Sequence, residues 1–169
     1  MFVNLTDVLT NQGKVLPMQI ETGIKQVLVG GESYQVLKSV PVDFVFTNTQ
    51  KGRARIEGKT EFTFAVTCDR CLKPVEQKIA LVFTREVTAP DMSTGSSEED
   101  EQDFMDGYQL NVEDLLNSEI VTSWPMKILC KPDCKGICPK CGRDLNTGTC
   151  DCDTFVPDPR MAVIKDIFN

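Results

Sequence analysis

Eight cysteines stand in four short groups: Cys68-Asp-Arg-Cys71, Cys130-Lys-Pro-Asp-Cys134, Cys138-Pro-Lys-Cys141-Gly142 and Cys150-Asp-Cys152. Two cysteines spaced by two residues let a tight turn aim both sulfurs at one ion about 2.3 Å away. Gly142 removes a Cβ where such a backbone folds beneath the metal. A structural zinc takes four ligands, so eight thiolates make two complete sites. Loop closure pairs Cys138, Cys141, Cys150 and Cys152 as a local site, and Cys68, Cys71, Cys130 and Cys134 as a second. In an alternative pairing, Cys130 and Cys134 exchange roles with Cys150 and Cys152. Spacing leaves iron–sulfur ligation and redox-labile thiols open as alternatives to Zn²⁺. Arg70, Lys131, Lys135, Lys140 and Arg143 flank the sulfurs, and neighbouring cations lower a thiol pKa.

The chain has no histidine. That excludes mixed Cys/His metal sites and the commonest general base. Phosphate-cradling glycine loops, nucleophile elbows and zinc-protease helices are also missing from the sequence. The expectation is a protein that is not an enzyme and has no small-molecule substrate. Met1-Phe2-Val3-Asn4-Leu5-Thr6-Asp7 has neither a basic leader nor a small-residue cleavage site. A cytoplasmic setting is therefore expected, where clustered cysteines serve metal or redox chemistry rather than disulfides. No apolar run approaches the roughly 18 residues of a membrane span, so no membrane partner is expected.

The elements that must position the thiols follow from periodicity. Val15 to Ile20 reads as an edge strand, because Pro17 lacks an N–H. Asp7-Val8-Leu9 suits a short helical turn, and Gly30-Gly31 a tight turn. From Tyr34 the period is two. Tyr34, Val36, Val40, Val42, Phe44 and Phe46 share a face, with Lys38 the exception. Ala54, Ile56, Phe62, Phe64 and Val66 do the same in a second run, and Val75, Ile79, Leu81, Phe83 and Val87 in a third. Gly58 is expected to mark a bulge or bend. Three such runs predict an antiparallel meander of about four strands with one buried face. Cys68 and Cys71 fall in the turn between the second and third runs.

Asn111 caps an expected helix over 112–123, with Leu115, Leu116, Ile120 and Trp124 as its apolar stripe and Pro125 at its end. A terminal helix is expected from Pro159 to Phe168. The fold class is α+β: a β domain over 1–90, an acidic linker over 91–106, and a helix with a Cys-rich module over 107–169. The net charge of −7 is unevenly spread: residues 90–119 hold 10 of the 25 acidic residues and no basic one. Elsewhere the chain is near neutral. Lys51, Arg53, Arg55 and Lys59 share one strand face and are candidate RNA contacts, although a solvated outer strand face shows the same pattern.

Together these motifs resemble a known family. They comprise Cys68-Asp69-Arg70-Cys71-Leu72, Trp124-Pro125 and the run Cys130 to Gly142. Asp144-Leu145-Asn146, Cys150-Asp-Cys152 and Asp158-Pro159-Arg160 complete the set. The chain is similar to the YceD family, named for accumulation of large-subunit ribosomal RNA. The resemblance implies a small bacterial or plastid factor in large-subunit ribosome biogenesis without established catalytic residues. Its implied partner is a ribosomal RNA precursor or a large-subunit ribosomal protein. A redox-regulated zinc switch and a metal-dependent RNA-processing enzyme are the rival functions.

Overall fold

The computed structural model describes residues 1–92 and 103–152. Contacts divide the chain into two units. One comprises Met1–Val66 and Glu76–Met126; the other comprises Thr67–Val75 and Lys127–Asn169, described here as far as residue 152. This grouping cuts across the expected segments 1–90 and 107–169. The helix after the acidic stretch belongs with the sheet, and the Cys68–Cys71 turn belongs with the later cysteines.

The first unit opens with β1 (Phe2–Asn4), α1 (Thr6–Thr10) and β2 (Val15–Ile20). Next come β3 (Gln26–Val29), β4 (Glu32–Ser39), β5 (Val42–Gln50), β6 (Arg53–Thr67) and β7 (Pro74–Thr88). Then follow β8 (Met105–Asp106), β9 (Gln109–Asn111) and α2 (Val112–Thr122). The expected α+β class holds, with antiparallel pairing throughout the registers of both sheets.

The larger sheet runs β2-β5-β6-β4-β3, with β7 also paired to β6. It is more than a meander. Both β4 and β5 lie antiparallel to β6, β5 from Asp43↔Lys59 to Gln50↔Arg53 and β4 from Gln35↔Ala65 to Ser39↔Phe62. They meet end to end at Val40-Pro41, where the Val40 N–H donates to Glu61 O (3.0 Å) and Thr60 Oγ1 donates to Val40 O (2.7 Å). Pro17 sits on edge strand β2, as its missing N–H requires. Gly30 and Gly31, both at positive φ, close the two-residue β3–β4 turn.

Alternation decides the core. Phe44, Phe46, Ile56, Phe62, Phe64 and Leu81 are fully buried. Gly58 makes no bulge: its pairing with Phe44 is regular, and the register shifts lie at Val36/Lys38 and Asn48/Gln50. Its role is space, because a Cβ there would lie 2.2 Å from the Phe83 ring. Thr63, which alternation with Phe62 and Phe64 would turn to the outer face, is buried as well.

In α2 the Asn111 side chain accepts the Glu113 N–H, and Leu115, Leu116 and Ile120 are buried. Trp124 packs against Tyr34 and Phe64, with ring centroids 4.6 and 5.1 Å apart. Buried Glu119 accepts from Arg85 Nε at 2.5 Å, tying α2 to β7. The small sheet β1-β9-β8 was not foreseen, because strands of two or three residues carry no period. It corrects the linker boundary. Phe104 is buried, and Tyr108 donates its hydroxyl to Asp91 at 2.8 Å, so both ends of the 91–106 stretch belong to the fold. Residues 93–102 and the expected helix at 159–168 lie outside the described residues.

Candidate metal centres

β6 and β7 run into the second unit and present Cys68 and Cys71 in the turn between them. The Cys68 N–H donates to Lys73 O (2.8 Å), and the Leu72 N–H returns to Cys68 O (2.9 Å). Residues 138–143 repeat this turn bond for bond. Cys138 donates to Arg143 O and Gly142 to Cys138 O, both at 2.9 Å. The residue after the second cysteine is left-handed in both knuckles, with φ +60° at Leu72 and +70° at Gly142. For glycine this is free; for leucine it costs about 1–2 kcal/mol.

Each knuckle joins a second pair of sulfurs. Cys68, Cys71, Cys130 and Cys134 bring their Sγ atoms within 4.8 Å of one another, and so do Cys138, Cys141, Cys150 and Cys152. These are the two quartets that loop closure predicted. The closest approaches in the first are 3.5 Å (Cys71–Cys130) and 3.8 Å (Cys68–Cys134). A tetrahedron with metal–sulfur bonds of about 2.3 Å has edges of about 3.8 Å, whereas a disulfide needs about 2.05 Å. The eight residues therefore fit two closed four-thiolate sites, each able to hold a metal ion.

The electrostatics agree. Burial pushes the Cys68 thiol up, but N–H groups of Cys130, Cys71 and Arg70 outweigh it and bring the thiol down to about 6. Cys141 and Lys140 N–H groups bring Cys138 to about 6. Their neighbours move oppositely: Cys130 is pushed up to about 12, first by the Cys71 thiol, and Cys152 to about 12, first by Cys141. For Cys71 and Cys150 the largest influence is a backbone N–H, from Lys73 and Cys152, that pulls the thiol down. Burial and adjacent sulfurs outweigh it and leave both raised. Four thiols so close cannot all ionise without a cation among them.

A set of contacts holds the two centres together. Arg70 Nη1 donates to Cys134 O at 2.6 Å, and Ile137 N–H donates to Arg70 O at 3.1 Å. Gly136 is required there, with φ +80° and a Cβ position 2.9 Å from Arg70 O. Asp69 Oδ2 accepts the Ile128 N–H at 2.6 Å. Asn146 Nδ2 donates to Cys134 Sγ (3.4 Å), and Lys73 Nζ meets Asp144 Oδ2 at 2.6 Å. This pair drags the Asp144 carboxyl down to about 2. Sequence reading missed Asn146, Lys73 and Asp144 as supports, since no spacing rule marks residues that bond to ligands. The first quartet is also packed: Cys68, Cys71 and Cys134 are buried with Val75, Leu129 and Ile137 against them.

The basic strip Lys51, Arg53, Arg55 and Lys59 is exposed, as expected of an outer strand face. Arg55 pairs with Glu86 at 3.4 Å, and Lys59 lies opposite Asp43 in the register, which dilutes it. The second unit has more exposed cations, of which Lys73 and Lys131 are paired with Asp144 and Asp133. Arg70, Lys73, Lys127, Lys131, Lys135, Lys140 and Arg143 are all exposed.

An antiparallel sheet whose β6–β7 turn supplies half of a four-thiolate site, beside a second knuckle of the same build, defines a class of two-cluster cysteine proteins. Residues 56–168 match the family described as "Large ribosomal RNA subunit accumulation protein YceD". The chain belongs to the YceD family. It is 33% identical over 76 residues to uncharacterized proteins of Mycobacterium tuberculosis and Mycobacterium bovis, covering 44% of this chain and 37% of theirs. It is 27% identical over 136 residues to the chloroplastic large ribosomal RNA subunit accumulation protein YCED homolog 1 of Zea mays, covering 61% of this chain and 45% of that one. The chain thus spans less than half the length of the curated relatives it matches. No solved structure matches it. No helix among the described residues is long and apolar enough to cross a membrane.

Proposed function

We propose that this chain is a non-enzymatic, cytoplasmic factor in the accumulation of large-subunit ribosomal RNA, holding two Zn²⁺ ions and binding precursor RNA through its Cys-rich unit. The observation that carries the reading is the pair of closed thiolate quartets, whose loops display exposed cations. Zinc with four sulfurs has no open position for water or substrate, which favours a structural role. Bound there, the ions would fix the knuckles as rigid recognition loops.

Residues 67–75 and 127–152 hold seven basic and four acidic side chains. Two Zn²⁺ with eight thiolates would add −4, so gross charge does not drive binding. Placement favours it: Cys68, Cys71, Cys134 and Cys138 are buried and Cys150 and Cys152 half-buried, with only Cys130 and Cys141 exposed, whereas all seven cations stand outside. Asp133 and Asp144 are tied to Lys131 and Lys73. The family description supports the ribosomal setting. A basic large-subunit protein is the second reading, favoured by the acid-only stretch between residues 90 and 119.

The test joins metal analysis to binding. Protein purified without chelator should contain two zinc ions per chain; one ion, or iron with visible absorbance, would contradict the sites. Reversing Lys135, Lys140 and Arg143 to Glu should weaken binding to precursor RNA and flatten its salt dependence. If cells lacking the protein keep normal large-subunit RNA levels, the functional reading fails.

A further inference from the structure

Leu72 combines a left-handed backbone with an exposed apolar side chain. It is the only non-glycine residue at positive φ among those described, and its side chain is 63% exposed. A single exposed apolar residue is ordinary on a protein surface. One held in the left-handed region is not, and such outliers gather at functional sites.

The second knuckle supplies an internal control. It makes the same two backbone hydrogen bonds with Gly142 at the equivalent place, where a Cβ would meet nothing within 4 Å. The turn therefore forms with glycine, and folding does not explain the leucine. Two basic side chains flank Leu72. Arg70 and Lys73 are exposed on either side of it in the same turn, and the Asp69 carboxylate is occupied by the Ile128 N–H. Arg70 is anchored by Cys134 O and Lys73 by Asp144, so both are held in place.

We propose that Leu72 is the base-contacting tip of the first knuckle, seating its side chain against an unpaired base of single-stranded RNA while Arg70 and Lys73 meet the flanking phosphates. An unstacked base offers an apolar face, and leucine is among the side chains that wedge against bases beside cationic contacts. Phosphate contacts position a nucleic acid, and the contact to the base selects the unpaired form. This inference rests on the RNA-binding reading of the Cys-rich unit.

The experiment uses the full chain with its metal bound and two probes, a synthetic single-stranded RNA and the same sequence as a duplex, followed by fluorescence anisotropy. Leu72→Gly keeps the turn and removes the side chain. It should retain its metal content, melt no lower than the parent, and bind the single strand roughly fivefold or more weakly with an unchanged salt slope. Duplex binding should not change. Leu72→Phe should bind the single strand at least as tightly as the parent. Equal single-strand binding by parent and Leu72→Gly would overturn the proposal, as would a lower melting temperature in the glycine variant, which would make Leu72 structural. Loss of binding to a purified large-subunit protein with RNA binding intact would overturn it in favour of a protein partner. If the parent binds neither RNA, the RNA-binding reading itself fails, an outcome distinct from the others.

Discussion

Single residues here are set by what stands against them. Gly58 reads in the sequence as a break in an alternating strand, and the strand does not break there. The missing information was the Phe83 ring, 25 positions away in the chain. A Cβ at Gly58 would lie within 2.7 Å of three ring carbons. Gly58→Ala must displace that ring inside a packed core, and overpacking of this kind costs about 1–3 kcal/mol. The urea midpoint should fall accordingly; an unchanged midpoint would mean that Phe83 can rotate away freely. By contrast, all eight cysteines were legible as candidate ligands, because thiolate spacing is a local property. Lys73, Asp144 and Asn146 were not, because supporting a ligand requires only proximity in space.

At the scale of elements, the two knuckles are the same turn built from different residues, and the bond pattern survives the change from glycine to leucine. Strands longer than about eight residues were visible from their period, as was α2 from its Asn111 cap and apolar stripe. The short strands β1, β8 and β9 were not, since they exist only through one another. The knuckles also set how metal uptake responds to pH. Cys130 and Cys152 are held up at about 12, and Cys71 and Cys150 are raised too. These thiols keep their protons at neutral pH until a cation displaces them. Lower pH favours the proton, so metal affinity should fall as pH falls. Adding zinc to metal-free protein in weak buffer near pH 7 should acidify the solution, as followed with an indicator dye. A flat trace would show that the thiolates pre-exist.

At the scale of the whole chain, the two units depend on different forces. The first has an aromatic and aliphatic core centred on Phe44, Phe46, Phe62 and Phe64, whereas among the described residues of the second little beyond Val75, Ile128, Leu129 and Ile137 packs with its sulfurs. Small modules with so little core lean on metal for their stability. Chelation should therefore speed amide hydrogen exchange at Asp69, Ile137 and Cys138 while leaving β5 and the Arg53–Lys59 half of β6 protected. Simultaneous loss of protection in both would show that they form one cooperative body. The discontinuous make-up of the second unit was not legible from composition, which drew the eye to the acidic stretch. The partition follows pairing instead: a hairpin turn leaves one unit to join the other.

That discontinuity sets a clock. In the local quartet Cys138 and Cys150, the first cysteines of their pairs, stand twelve positions apart, whereas Cys68 and Cys130 stand 62 apart. Each doubling of a loop adds about 0.6 kcal/mol to the entropy of closing it, so the longer closure is disfavoured by about 1.4 kcal/mol, or about tenfold. A chain emerging from its own synthesis displays Cys68 and Cys71 as an unfinished half-site until Cys134 follows. Refolding from denaturant in the presence of zinc should consequently take up one ion in a fast phase and the other in a slow one. Replacing Cys68 and Cys71 by Ser should abolish only the slow phase; a single uptake phase in the parent protein would mean that the sheet gathers the distant sulfurs before either ion arrives.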